Sequence, residues 1–214
     1  LNNLKKKFIM LPVMLLFLSL NALPLMANRS FSDLRTNHWS FSVVTELADM
    51  GYIKGYPDGT FKPGGNITRA EFIAVMNKLV SDLYPDGTEA DNKWLLTDIS
   101  PNHWAYNAAD SVLSHMTKED VKNIFGSKFS PDRKTTREEV VAVIHAIIRH
   151  HADFSGIDLS KNRFSDISDA RFRESINLCV EQGIISGYPD GTFKPGGNIT
   201  RAEIAAILVK VARG

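Results

Sequence analysis

The sequence predicts an all-α protein built from three copies of a helix-loop-helix unit. Three observations carry that expectation: a 17-residue block that occurs twice unchanged, apolar residues at helical spacing in each unit, and a helix-start signature that returns three times. Gly55-Tyr-Pro-Asp-Gly-Thr-Phe-Lys-Pro-Gly-Gly-Asn-Ile-Thr-Arg-Ala-Glu71 recurs as Gly187 to Glu203. A diverged copy, Phe129-Ser-Pro-Asp-Arg-Lys-Thr-Thr-Arg-Glu-Glu139, aligns without gaps onto Phe61 to Glu71. Each unit needs its neighbours to bury its apolar face.

The chain opens on a processing signal. Lys5, Lys6 and Lys7 precede an apolar run from Phe8 to Leu18, followed by Ala22-Leu-Pro-Leu-Met-Ala27. A basic start, an apolar stretch too short to span a bilayer and a small residue at the cut predict a signal peptide over residues 1–27. Pro12 and the clustered lysines argue against a buried helix there. The mature protein is expected to be exported and not membrane-spanning. A first-position Leu fits a non-standard start codon or a missing 5′ end. The repeats run almost to Gly214, which suits both a stand-alone protein and one piece of a longer one.

Each unit is led by a shared motif: Phe31-Ser-Asp-Leu, Leu96-Thr-Asp-Ile and Phe164-Ser-Asp-Ile, with Trp39, Trp104 and Phe172 six residues after the aspartate. Phe41, Val44, Leu47 and Ala48 then fall on one helical face, and Gly51 supplies a left-handed stop. Tyr106 to Met116 and Arg173 to Gly183 are the matching segments. Tyr56-Pro-Asp-Gly59 has turn chemistry, Pro setting φ and Gly accepting a positive one. Thr68 and Glu71, Thr136 and Glu139, and Thr200 and Glu203 have the spacing of capping boxes. Ile67 and Phe72 suit a hydrophobic staple, and Val75, Met76, Leu79 and Val80 continue the buried stripe. Segments 82–95 and 150–162 read as connectors.

Composition excludes several classes. The 214 residues hold 25 Lys and Arg against 24 Asp and Glu, which lacks the basic excess a nucleic-acid binder needs. Loss of the signal removes three lysines and turns the balance slightly negative. One cysteine allows no internal disulfide. With 43% hydrophobic residues the chain is not a disordered one.

The capping boxes leave Arg69, Arg137 and Arg201 unexplained. At the first helical position an exposed arginine opposes the helix dipole, since cations prefer the other end. An anion held by free helix-start N–H groups and a guanidinium fork accounts for it, and so does pairing to a neighbouring carboxylate.

These motifs resemble S-layer homology repeats: Phe-Ser-Asp followed by His-Trp, then Gly-Tyr-Pro-Asp-Gly-Thr-Phe-Lys-Pro, then Ile-Thr-Arg-Ala-Glu. The resemblance covers residues 31–213, with repeats at 28–88, 96–150 and 163–213. It implies a pseudo-threefold trefoil, a three-prong spindle around a central helical bundle with grooves between the prongs. It also implies noncatalytic, noncovalent attachment to the bacterial cell wall without a cofactor, at the cell surface, by binding a secondary cell-wall polysaccharide associated with peptidoglycan. Such polymers often carry pyruvate ketals, which are carboxylates on sugars.

Carried over residue by residue, the resemblance points to Arg69, Arg137 and Arg201 as anion contacts. Asp33, Asp98 and Asp166 would accept sugar hydroxyl protons. Trp39 and Trp104 suit stacking on a sugar face, although core packing is the commoner fate at a helix start. Gly64-Gly65 and Gly196-Gly197 let backbone approach a ligand, or permit the turn. Lys62 and Lys194 add positive potential, or serve solubility. The second repeat departs from the pattern, reading Asn123-Ile-Phe-Gly-Ser127 for the loop and Asp132-Arg133 for the glycine pair, and the third has Arg171-Phe172 for His-Trp. One or two competent grooves are expected.

Other chemistry is weakly signalled. Asp58 stands among Tyr, Pro and Thr rather than in a calcium loop. His38 and His103 hold equivalent structural positions, and His145, His150 and His151 lie at a helix end. None has a metal-ligand spacing, so no metal is expected. Cys179 reads as a buried thiol. A protein-interaction scaffold using diverged grooves is the competing function.

Overall fold

Helices begin where the chain supplies an acceptor for their first N–H groups. The computed structural model describes residues 30–85, 93–149, 154, 156–161 and 163–213, so the expected signal segment lies outside the described residues. Among these residues there are seven α-helices and no β-strand: α1 (Phe41–Asp49), α2 (Arg69–Leu83), α3 (Tyr106–Ser114), α4 (Lys118–Phe125), α5 (Arg137–Ile148), α6 (Arg173–Glu181) and α7 (Arg201–Arg213). A short 3-10 helix, Lys93–Asp98, leads into the second repeat. The fold is all-α, and no described helix is long and apolar enough to cross a membrane.

Long helices α2, α5 and α7 start from reciprocal caps. The Thr68, Thr136 and Thr200 hydroxyls accept the N–H of Glu71, Glu139 and Glu203, whose carboxylates accept the threonine N–H in return. A cap of this kind is worth about 1 kcal/mol. For α1 and α3 a histidine ring does part of this work, His38 Nδ1 accepting the Ser40 N–H and His103 Nδ1 the Ala105 N–H. Gly51 and Gly183 end α1 and α6 at φ of 77° and 72°, where a Cβ would be strained.

The second repeat differs from helix-loop-helix by gaining α4. Its segment lacks the Pro-Asp-Gly turn and carries its own capping box at Thr117 and Asp120, with Val121, Ile124 and Phe125 buried on one face.

Packing runs in a cycle. Helix α2 packs on α3 of the next repeat, α5 on α6, and α7 returns to α1, closing the series. Three backbone bonds follow the same order: Ile67 N–H to Ile199 O, Ile199 N–H to Thr135 O, and Thr135 N–H to Ile67 O. All three side chains are buried, and one continuous core joins Leu47, Phe61, Phe72, Phe129 and Phe193. No repeat therefore buries its apolar face alone.

At the α5–α6 contact His145 Nδ1 lies 2.9 Å from the Ser175 hydroxyl. Burial, aided by the Arg149 guanidinium, holds this histidine below its ordinary pKa, with Asp120 and Glu174 opposing. The folded chain therefore binds this proton less readily than the unfolded chain, whose histidine titrates near about 6.5. Its contribution is complete above that value and is lost as pH falls through and below it. The urea midpoint should be lower at pH 5 than at pH 7.5, and His145→Gln should narrow the difference. An unaltered difference in the variant would exclude His145 as the group responsible.

Candidate functional site: the joints between repeats

The helix-start arginines are buried rather than exposed, a correction with a clear physical cause. Arg69, Arg137 and Arg201 are 3%, 4% and 9% accessible, because each reaches into the loop of the next repeat in the cycle. Arg69 donates to the Phe129 carbonyl and Glu139 Oε1, both at 2.8 Å. Arg137 donates from Nε to the Phe193 carbonyl and from Nη2 to Ser186 O, with Nη1 3.3 Å from Glu203. Arg201 closes the cycle onto Phe61 O and Lys54 O, with Nη1 3.9 Å from Glu71. Five fixed donors allow one guanidinium to hold two carbonyls and face a carboxylate.

Nor are the first helical N–H groups free for an anion. Those of Arg69 and Ala70 bond to Arg133 O and Pro131 O, those of Arg137 and Glu138 to Gly197 O and Pro195 O, and those of Arg201 and Ala202 to Gly65 O and Pro63 O. Neighbouring carbonyls thus meet the positive helix ends. Each place where an arginine enters the next repeat is a joint, named here by its arginine.

Asp33, Asp98 and Asp166 stand inside these joints and hold backbone. Asp33 accepts the N–H groups of Phe61 and Lys62, both at 2.7 Å, and Asp166 those of Phe193 and Lys194, both at 2.8 Å. Asp98 does the same for Phe129 and Ser130. Lys62, Ser130 and Lys194 have φ of 57°, 53° and 58°, an unfavourable region for a side-chain-bearing residue that two charge-assisted bonds sustain. The left-handed residue of this turn is thus a lysine or serine. Gly64, Gly65, Gly196 and Gly197 are not at positive φ.

Two joints share a further arrangement. At the Arg201 joint, Lys62 Nζ is 4.2 Å and Arg201 Cζ 4.7 Å from the Tyr56 ring centre, and the tyrosine hydroxyl donates to Glu71 Oε1 at 2.9 Å. At the Arg137 joint the same roles fall to Lys194, Tyr188 and Glu203, at 4.4, 4.6 and 2.9 Å. Burial would raise the Glu71 and Glu203 carboxyls. The threonine N–H, the tyrosine hydroxyl and the guanidinium outweigh it and hold both below the usual range. Tyr56 and Tyr188 are site residues the sequence reading passed over. Their signal is a tyrosine fifteen residues before the capping glutamate in both unchanged blocks, replaced by Ile124 in the second repeat.

The Arg69 joint is built differently. Arg133, at the position of Gly65 and Gly197, donates to Glu139 Oε1 at 2.6 Å, the bond the tyrosine supplies elsewhere. Glu139 is 7% accessible against 23% for both Glu71 and Glu203.

Trp39 and Trp104 are 62% and 63% exposed, against the expectation of core packing. The inward position at each helix start belongs to the next residue, the small Ser40 or Ala105, both fully buried. His38 and His103 lie 5.7 and 5.5 Å from the indoles, ring centre to ring centre. In the third repeat Phe172 is covered by Arg171, whose guanidinium is 5.0 Å from the ring and donates to Asn123 O. It lines a cleft of about 520 Å³ between α4, α5 and the start of α6, with Asp120, His145 and Arg149.

Among the described residues no group of three or more His, Cys, Asp or Glu is placed to hold a metal ion. Asp58 and Asp190 spend their carboxylates on the Thr60 and Thr192 N–H and hydroxyl. The Cys179 thiol is fully buried and burial pushes its pKa up, which makes it a poor nucleophile.

Comparison with known proteins places this geometry. The chain is 34% identical over 163 residues to Cell surface glycoprotein 1 of Acetivibrio thermocellus, covering 73% of this chain and 7% of that protein. It is 34% identical over 164 residues to the Cellulosome-anchoring protein of the same organism, again 73% of this chain and 34% of the relative. Over 190 residues it is 25% identical to S-layer protein sap of Bacillus anthracis, 86% of this chain and 21% of that protein. The chain thus spans between 7% and 34% of the length of these relatives. The family described as S-layer homology domain matches residues 30–73 and 163–205, the first and third repeats, on either side of the diverged one. The chain therefore carries S-layer homology domains at these two positions.

Proposed function

We propose that the chain is a noncatalytic module of the bacterial cell surface that holds an acidic secondary wall polysaccharide. Export through the residue 1–27 signal belongs to the same reading. The observation that carries it is the lysine, tyrosine and arginine arrangement repeated at the Arg201 and Arg137 joints. In each, a half-exposed lysine and the Nη1 edge of a buried arginine surround a tyrosine beside a partly exposed carboxylate. At the Arg201 joint Nη1 stands beyond hydrogen-bond reach of Glu71, so it has donors to spare. A carboxylate on a sugar, such as a pyruvate ketal, meets the donors that such a site offers. Exposed Trp39 and Trp104 supply apolar faces for sugar rings. The relatives' names, a cellulosome-anchoring protein and an S-layer protein, support attachment at the surface.

Cosedimentation of the mature protein with purified wall sacculi tests this reading. Binding should disappear after acid extraction of the secondary polymer; undiminished binding to stripped peptidoglycan would overturn it. The Lys62→Ala/Lys194→Ala double variant should bind at least about tenfold more weakly, one charge-assisted contact being worth about 1.5–3 kcal/mol. Circular dichroism should show its helices intact.

A further inference from the structure

We propose that Arg133 closes the Arg69 joint from within, so that the chain presents two carboxylate-binding joints to its polymer rather than three. The inference rests on the wall-polysaccharide reading above and adds which joints serve it.

Four observations at the Arg69 joint point the same way. Its arginine pairs directly with its glutamate, Arg69 Nη2 to Glu139 Oε1 at 2.8 Å, whereas the corresponding separations are 3.3 Å at Arg137 and 3.9 Å at Arg201. A second guanidinium, that of Arg133, lands on the same oxygen at 2.6 Å. The lysine is gone, Ser130 standing where Lys62 and Lys194 stand. Finally, Glu139 is covered, at 7% accessible against 23% for its two counterparts.

The cause is a side chain at a position the other repeats keep bare. Next to Gly65 the Arg201 side chain passes 3.9 Å from where a Cβ would stand, so a residue there lies against the joint. Arg133 holds that place and folds over the glutamate. It supplies the donor that was lost when α4 replaced the tyrosine loop. An incoming carboxylate finds serine in place of the joint lysine, and a glutamate oxygen already bridged by Arg69 Nη2 and Arg133 Nη1. The open joints flank the third repeat, Arg137 reaching into it and Arg201 out of it. One polymer chain held at both gains avidity from effective concentration.

Two measurements test this. The first needs no ligand: carbodiimide coupling of a small amine, read by mass spectrometry, should label Glu71 and Glu203 readily and spare Glu139. In Arg133→Gly, Glu139 should label like its counterparts. Equal labelling of all three in the unaltered protein overturns the closure. The second is calorimetric titration with the methyl glycoside of a pyruvate-ketal hexose. Two sites per chain are expected, and three for Arg133→Gly/Ser130→Lys, since position 130 already has the backbone that Lys62 and Lys194 adopt. Three sites in the unaltered protein, or an unchanged two in the double variant, overturn the inference. Protected Glu139 without any binding of the glycoside would instead overturn the polysaccharide reading and leave the closure standing.

Discussion

Arg137→Ala is expected to lower the free energy of unfolding by about 3–5 kcal/mol, since two bonds from a charged donor are lost, each worth about 1.5–3 kcal/mol. The 4% accessible guanidinium satisfies the carbonyls of Phe193 and Ser186 and faces Glu203. Truncation leaves two carbonyls of the next repeat without their donor and uncovers the faces of Tyr188 and Phe193, which the guanidinium overlies at 4.6 and 4.8 Å. Lysine is a poor substitute, since a single ammonium cannot reproduce a fork that serves three acceptors. Urea denaturation followed by circular dichroism measures the effect, and a loss below about 1 kcal/mol would contradict a structural role for the buried arginine. Arg133→Ala is the control: its side chain is 50% exposed, where an ion pair is worth about 0–1 kcal/mol. A large loss of wall binding in Arg137→Ala therefore has to be read against its folded fraction.

Phe193→Ala should cost about 3–5 kcal/mol, the range for emptying a buried aromatic site. The ring is fully buried, tilted against Phe164 with centres 5.6 Å apart and covered by Arg137. Its backbone is engaged at both ends, the N–H to Asp166 and the carbonyl to Arg137, so the segment cannot collapse easily into the space. Phe193→Leu should be much milder because it keeps most of the volume. Denaturant midpoints measure both, with an unchanged m-value indicating that the folded state survives. A loss under about 1 kcal/mol for the alanine variant would show that the site relaxes freely.

Features legible in the sequence are the local ones. Thr68 and Glu71 lie three residues apart on the chain, so their reciprocal cap is a property of the segment. Gly51 ends α1 for the same kind of reason, through the conformation of one residue. Helix α4 had such a signal too, Thr117 and Asp120 at cap spacing, masked by alignment of its segment with a loop in the other repeats. The indoles were harder: periodicity does not say whether Trp39 or its small neighbour Ser40 turns inward. A helix-start arginine reads on the chain as unfavourably placed, because the carbonyls that hold it are 60, 56 and 140 residues away.

The sequence by itself therefore determined that this is an all-α repeat protein with S-layer homology domains, and where its caps and turns lie. Capping and turn chemistry act within a few residues, and an identical 17-residue block leaves no doubt about repetition. Only the tertiary structure decided that the repeats bond in a closed cycle, that the arginines and aspartates hold it together, and that Arg133 covers Glu139. Those outcomes depend on which carbonyl or carboxylate a long side chain meets across a joint. Only folding brings residues so far apart along the chain into hydrogen-bond range.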